Sequence, residues 1–202
     1  MNYSQIPSDE SIEKTAAALR EHGLEVFVAG SGAEAKLKAL EIIPGGAEVM
    51  TNTSQTAETI GLYKEINESG KYNSIGKQLM AMDRKTDGEK MRKLGASPDW
   101  TLGSVHAVTE DGRVLVASAT GSQLPGYING ANHVLWVVGA QKIVPNFEEG
   151  MKRIYDYVLP LENARAMKAY GAGSSVNKMI VLNKEAGKGR ITMILVKEAL
   201  GF

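Results

Sequence analysis

Strand-like apolar runs alternate with segments of helical period along most of the chain, the pattern of a largely parallel sheet covered by helices. Ile12, Ala16 and Leu19 share one face of a helix predicted over Asp9 to His22, with Ser8 placed to cap its start and Gly23 to supply a left-handed stop. Leu24 to Ala29 then reads as a buried strand. A second helix carries Ala33, Leu37 and Leu40 at helical spacing, Pro44-Gly45-Gly46 ends it, and Ala47 to Thr51 forms the next strand, completing a βαβ unit. Asn52 to Gly95 reads as mostly helical, with Ile75, Leu79 and Met82 on one apolar face and Gly70 and Gly95 as stops.

Val105 to Val108 and Val114 to Ala117 flank Asp111-Gly112, a dipeptide in which both residues tolerate positive φ. The expectation is a two-residue antiparallel hairpin inserted in the sheet, a register in which His106 opposes Ala117. His133 to Val138 is a further strand. Asn146 and Glu149 make a capping-box-like start for a helix bearing Phe147, Met151, Ile154 and Val158. Met179 to Asn183 and Ile191 to Lys197 are rich in β-branched and aliphatic residues and are expected inside the sheet. The fold class is therefore α/β and Rossmann-like, with a mostly parallel sheet, an inserted antiparallel hairpin and helices on both faces. One domain over residues 1–202 accommodates it.

Composition narrows the chemistry. The sequence has no cysteine, which removes disulfides, thiolate nucleophiles, iron–sulfur clusters and cysteine zinc sites together. No cofactor of its own is expected, and any electron transfer needs a borrowed one. Basic and acidic residues balance at 23 each, which argues against nucleic acid as a partner. No apolar run approaches the roughly 18–20 residues of a membrane span. Met1 to Pro7 lacks the features of a secretory signal, so a cytoplasmic protein that does not engage a membrane is expected.

Several loops offer sites. Gly30-Ser31-Gly32-Ala33-Glu34-Ala35 follows a strand and opens a helix in the G-x-G-x-x-A form of a dinucleotide fingerprint. The acid that should close the next strand is missing, however, because Glu48 lies within it and Thr51-Asn52 at its end. Asn52, Thr53, Ser54 and Thr56 bring polar groups and free N–H donors to a helix start, suited to an anion, although ordinary capping alone accounts for them more simply. Thr120, Gly121, Ser122 and Gln123 repeat the arrangement after the hairpin, and read as well as a structural turn. Lys142 follows a strand and can set an ammonium at the same sheet edge, while Lys178 and Arg190 are further cations, each able instead to pair with Glu185. His106 is the one histidine beside a glycine-rich loop's strand. It suits proton transfer or a hydrogen-bonded core role, and Glu185 is the other candidate for proton transfer. His22 and His133 have no companions for a metal.

Four segments together resemble the lactate-utilisation (LUD) domain family, as in LutC/YkgG-like proteins: Asn52-Thr53-Ser54-Gln55-Thr56, Val105 through Gly112, Gly139-Ala140-Gln141-Lys142-Ile143-Val144, and Gly189-Arg190-Ile191-Thr192 with the closing Leu200-Gly201-Phe202. The resemblance spans nearly the whole chain. It implies a NagB/RpiA/CoA-transferase-like fold and a link to lactate or related organic-acid metabolism. Asp111-Gly112 continues into Arg113-Val114, a departure from the acidic motif of ribose-phosphate isomerases. Three functions stand open: a cleft for a small organic anion or phosphate; an accessory subunit of an iron–sulfur lactate oxidoreductase; a transferase or cyclo-ligase that binds CoA, a folate or a nucleotide. Self-association into a homo-oligomer is a further expectation.

Overall fold

A computed structural model describes all of residues 1–202, and the chain builds two sheets. The larger is six-stranded and wholly parallel, in the order β1 (Glu25–Ala29), β10 (Ile191–Val196), β7 (His133–Gly139), β4 (Trp100–Gly103), β2 (Glu48–Thr51) and β3 (Asn73–Ser74). Its central strands are apolar at nearly every position because both faces are covered. Val134, Trp136, Val138, Ile191, Met193 and Leu195 face one core, shared with Ile12, Ala16 and Leu19 of α1 (Asp9–Glu21). Leu135, Val137, Ile194 and Val196 face another, against α2 (Gly32–Ile42) and Leu62 and Ile66 of α4 (Leu62–Glu68). Each such side chain removed from water contributes about 1.5–3 kcal/mol.

The second sheet has the order β8 (Ile143–Val144), β5 (Ala107–Thr109), β6 (Val114–Ser118), β9 (Lys178–Leu182). Val108, Val114, Val116 and Ile143 on its inner face complete the core under α1. Ala107, Leu115 and Ala117 on its outer face pack with Ile154, which belongs to a long helical segment. After α5 (Ile75–Met80) and α6 (Gly88–Ala96) earlier in the chain, that segment starts as α7 (Phe147–Lys152), capped by Asn146 at the Glu149 N–H. It passes through a wide turn over Arg153–Val158 and continues as α8 (Leu159–Tyr170). Pro160 lacks an N–H and its ring crowds the carbonyl four residues back, which accounts for the wide turn just before it.

The expected elements recur with four corrections. The hairpin leaves the parallel sheet for the second one, and β9 joins it there, leaving β10 alone of the two tail strands in the large sheet. The turn has three residues: Ala107 pairs with Leu115 and Val108 with Val114, Thr109 N–H donates to the Arg113 carbonyl at 2.9 Å, and positive φ is confined to Gly112 at 84°. Asp111 instead bonds Thr109 and Arg113. Helix α2 turns Ala35 and Ala39 to the sheet and leaves Leu37 71% exposed, because small residues let its backbone settle closely onto the strands. Trp100–Gly103, Asn73–Ser74 and Ile143–Val144 add three strands that the periodicity does not announce.

Strand β1 is one edge of the large sheet and β3 the other. Arg20 donates from Nε and Nη2 to the outward-facing Val26 carbonyl at 3.3 and 2.8 Å, and Lys38 Nζ lies 4.5 Å from the Phe27 ring centroid.

Candidate functional site

Because the large sheet is parallel, the residues that follow β2, β4, β7 and β10 gather along one edge, where ligands of open α/β sheets bind. Lys142, just past β7, is the residue on which they converge. Its ammonium donates to Thr56 Oγ1 and Ser104 Oγ, both at 3.1 Å, and to the Val105 carbonyl at 3.2 Å. Thr56 sits in the short helix α3 (Gln55–Thr59), whose start Ser54 caps by accepting the Ala57 N–H, and its own hydroxyl donates to the Leu200 carbonyl at 3.0 Å. Gln141 ties in the same tail, donating to the Leu200 and Gly201 carbonyls. Lys142 is only 3% exposed, and burial, then the nearby Arg153 charge, push it down to about 7. Its three neutral acceptors favour the charged form and act against that shift.

His106 adjoins this cluster. Its Nδ1 accepts the Ala117 N–H at 3.1 Å, replacing a ladder bond beyond the end of β5, so the ring proton resides on Nε2. Nε2 has no protein partner, and His106 and Ser104 are half-buried where Lys142 and Arg153 are buried. Burial, then Lys142 and Arg153, push His106 down to about 3, and it is neutral at physiological pH.

Arg153 is the third basic group. It is fully buried, donates from Nη1 to the His106 carbonyl, and lies with Cζ 5.3 Å from the Tyr157 ring centroid. Its Nε and Nη2 are buried with no partner. Burial pushes it down to about 10, with Tyr157 and Tyr3 opposing. No Asp or Glu contacts any of the three: every ion pair of the protein lies elsewhere.

The other candidate residues fall into three places. Asn52 is at the edge described, its amide donating to Thr101 Oγ1 at 2.8 Å, while the neighbouring Thr53 is exposed. Thr120, Gly121, Ser122 and Gln123 form a self-bonded loop at the end of β6. There Ser118 Oγ accepts the Gly121 N–H, Gln123 bonds Ser118 and the Ala117 carbonyl, and Lys178 Nζ donates to the Thr120 carbonyl at 2.6 Å. Its link to the cluster runs through Ala117 and His106. Glu185 and Arg190 lie at the opposite, amino ends of the strands. They pair there at 2.7 Å, and Arg190 also donates to the carbonyls of Tyr127, Ile128 and Ala131.

The fingerprint-like turn has its donors taken by the protein's own acids. Gly30 N–H donates to Glu34 at 2.7 Å and Gly32 N–H to Glu198 at 3.0 Å. No three His, Asp or Glu side chains gather to hold a metal. Surface grooves of about 350 and 670 Å3 flank edge strand β1 and are remote from this cluster.

Arg153, Ser104 and Gln141 were not singled out by the sequence. For Arg153 a signal exists: it falls on the stripe Gly150, Ile154, Val158 that the long helix buries, an unusual place for an arginine.

The topology and the strand-end cluster define a Rossmann-like α/β domain with a basic centre at the carboxyl edge of its parallel sheet. The LUD domain family model matches residues 12–197, and the chain belongs to that family. Among solved structures the chain is similar to a DUF162 family protein from Deinococcus radiodurans. The two share 12% identity and a TM-score of 0.58, over 95% of this chain and 99% of that one, a likeness of fold. No curated protein matches the sequence.

Proposed function

We propose that the protein binds a small organic anion, carboxylated or phosphorylated, at the carboxyl edge of its large sheet, and that it serves lactate or related organic-acid metabolism. One observation carries the reading: Lys142, His106 and Arg153 are brought together in a largely buried place with no carboxylate among them. Burying basic groups without a counter-charge is costly, and an anionic ligand offsets that cost. His106, neutral with its Nε2 proton directed away from the Ala117 bond, serves as a hydrogen-bond donor to such a ligand.

Thermal unfolding with phosphate, acetate, lactate and pyruvate tests this. A ligand of the native state at about 100 times its Kd raises stability by ~2.7 kcal/mol, a shift of several degrees in a domain of this size. At least one of the four should stabilise the wild type and fail to stabilise Lys142→Met. No shift with any of them at high concentration would end the reading.

A further inference from the structure

We propose that Arg153 is the carboxylate anchor of this site, its Nε and Nη2 edge receiving the two oxygens of a small organic acid. The inference rests on the anion-binding reading above and names the class of ligand.

A guanidinium offers its donors in pairs, and Nε with Nη2 is the pair that grips a carboxylate side-on. The protein itself supplies the template. Arg165 donates from Nε and Nη2 to the two oxygens of Glu162, both at 2.7 Å. Arg113 uses the same edge on Asp111, and Arg20 turns it on a carbonyl. In Arg153 the same edge is intact, buried and unpartnered, while the remaining nitrogen, Nη1, is fixed by the His106 carbonyl. One hydrogen bond therefore orients the guanidinium, and the pair suited to a carboxylate is left over. Leaving two charged donors buried and unmade is among the costlier arrangements in a fold.

The surroundings favour a planar group. The Tyr157 ring lies against the guanidinium, and the Tyr3 ring leans on Tyr157 with centroids 5.9 Å apart. Tyr3 belongs to the stretch ahead of α1, which is tied down by a hydrogen bond from Tyr3 Oη to Glu149 at 3.0 Å and by Ser8, whose side chain accepts the Ser11 N–H. Tyr3 also packs against the outer core cluster that holds Ile154. A carboxylate that reaches the fork must displace side chains packed over it, since Nε and Nη2 are closed off from solvent, and the unpartnered Nε2 proton of His106, whose carbonyl holds Nη1, is left for a second polar group of the acid.

The test compares acetate, lactate and phosphate by calorimetric titration on wild type, Arg153→Lys and Lys142→Met. Arg153→Lys keeps the charge and removes the fork. It should weaken carboxylate binding at least tenfold. Circular dichroism and the melting temperature establish that each variant folds. A second measurement needs no variant: the Arg153 Nε–H resonance of the wild type should shift on titration with acetate. If carboxylates bind the wild type and Arg153→Lys alike, or the Nε–H resonance stays fixed at saturation, the anchor is wrong while the anion site stands. Phosphate binding through Arg153 in preference to the carboxylates overturns the ligand class. Absence of binding by every anion removes both proposals.

Discussion

Arg153 donates to the main-chain carbonyl of His106, and the imidazole of the same His106 accepts the Ala117 N–H at 3.1 Å. One residue thus joins the long helix, the end of β5 and the end of β6, and its ring can turn only by giving up the hydrogen bond it accepts from the Ala117 N–H. The His106 ring is a fixed donor at the mouth of the basic cluster.

His106→Ala should destabilise the protein by about 1–3 kcal/mol, because the Ala117 N–H loses its acceptor. Asparagine places an amide oxygen near the position of Nδ1, and His106→Asn should recover most of that loss. The pH dependence follows from the neutral ring. An unfolded chain titrates its histidine near 6.5 and the folded one near about 3, so the unfolded state binds the extra proton between those values. The contribution is complete above about pH 6.5 and declines as pH falls toward 3, by at most about 1.4 kcal/mol per unit. Urea unfolding across this range should show a shallower dependence in His106→Asn than in the wild type.

Anion affinity should fall as pH rises through about 7, where Lys142 gives up its proton, with a limiting slope of about tenfold per unit. Acetate and lactate titrations from about pH 6 to 9 measure it, because both ligands stay ionised across that range. In Lys142→Met the residual binding should be flat. A wild-type profile without slope would place the ammonium outside the site or hold its titration well above this range.

Gly103 approaches the Tyr127 hydroxyl so closely that an added Cβ would overlap it. Gly103→Ala should cost about 1–3 kcal/mol through overpacking. Tyr127→Phe removes the hydroxyl, so the double variant should lose less than the sum of the two single ones. A double-mutant cycle in urea that returned simple additivity would refute the contact.

Arg190→Ala breaks a mostly buried pair with Glu185 and three carbonyl bonds, and should destabilise by about 3 kcal/mol. Since Arg190 lies at the amino ends of the strands, the folded fraction should bind anions with wild-type affinity. Weaker binding by that fraction would bring Arg190 into the ligand's reach.

The two-sided burial of β7 and β10 is legible in the runs His133–Gly139 and Ile191–Val196, and the caps Ser8 and Asn146 were readable because a side-chain acceptor three residues ahead of an N–H is a local device. Lys142 and Thr56 could be nominated from strand-end position alone, and the structure joins them at 3.1 Å. What local pattern could not carry was partnership at a distance. β9 and β10 are both apolar strands, and only the packing of β6 decides which of them leaves the large sheet. The three-residue turn differs from a two-residue one by a single register step that Asp111-Gly112 does not fix. Arg153 was hidden beside Lys152, whose charge is spent on Glu148 and Glu149 at the surface. Two adjacent cations look alike in sequence until the helix turns one of them inward.

Arg20 holds the outward carbonyl of Val26 at the rim of β1 with two donors. Any chain that tried to extend the sheet there would first have to strip a guanidinium from the backbone it hoped to pair with. Growth of the sheet into open-ended assemblies is thereby discouraged at this edge, and copies that associate are steered toward contacts between side chains.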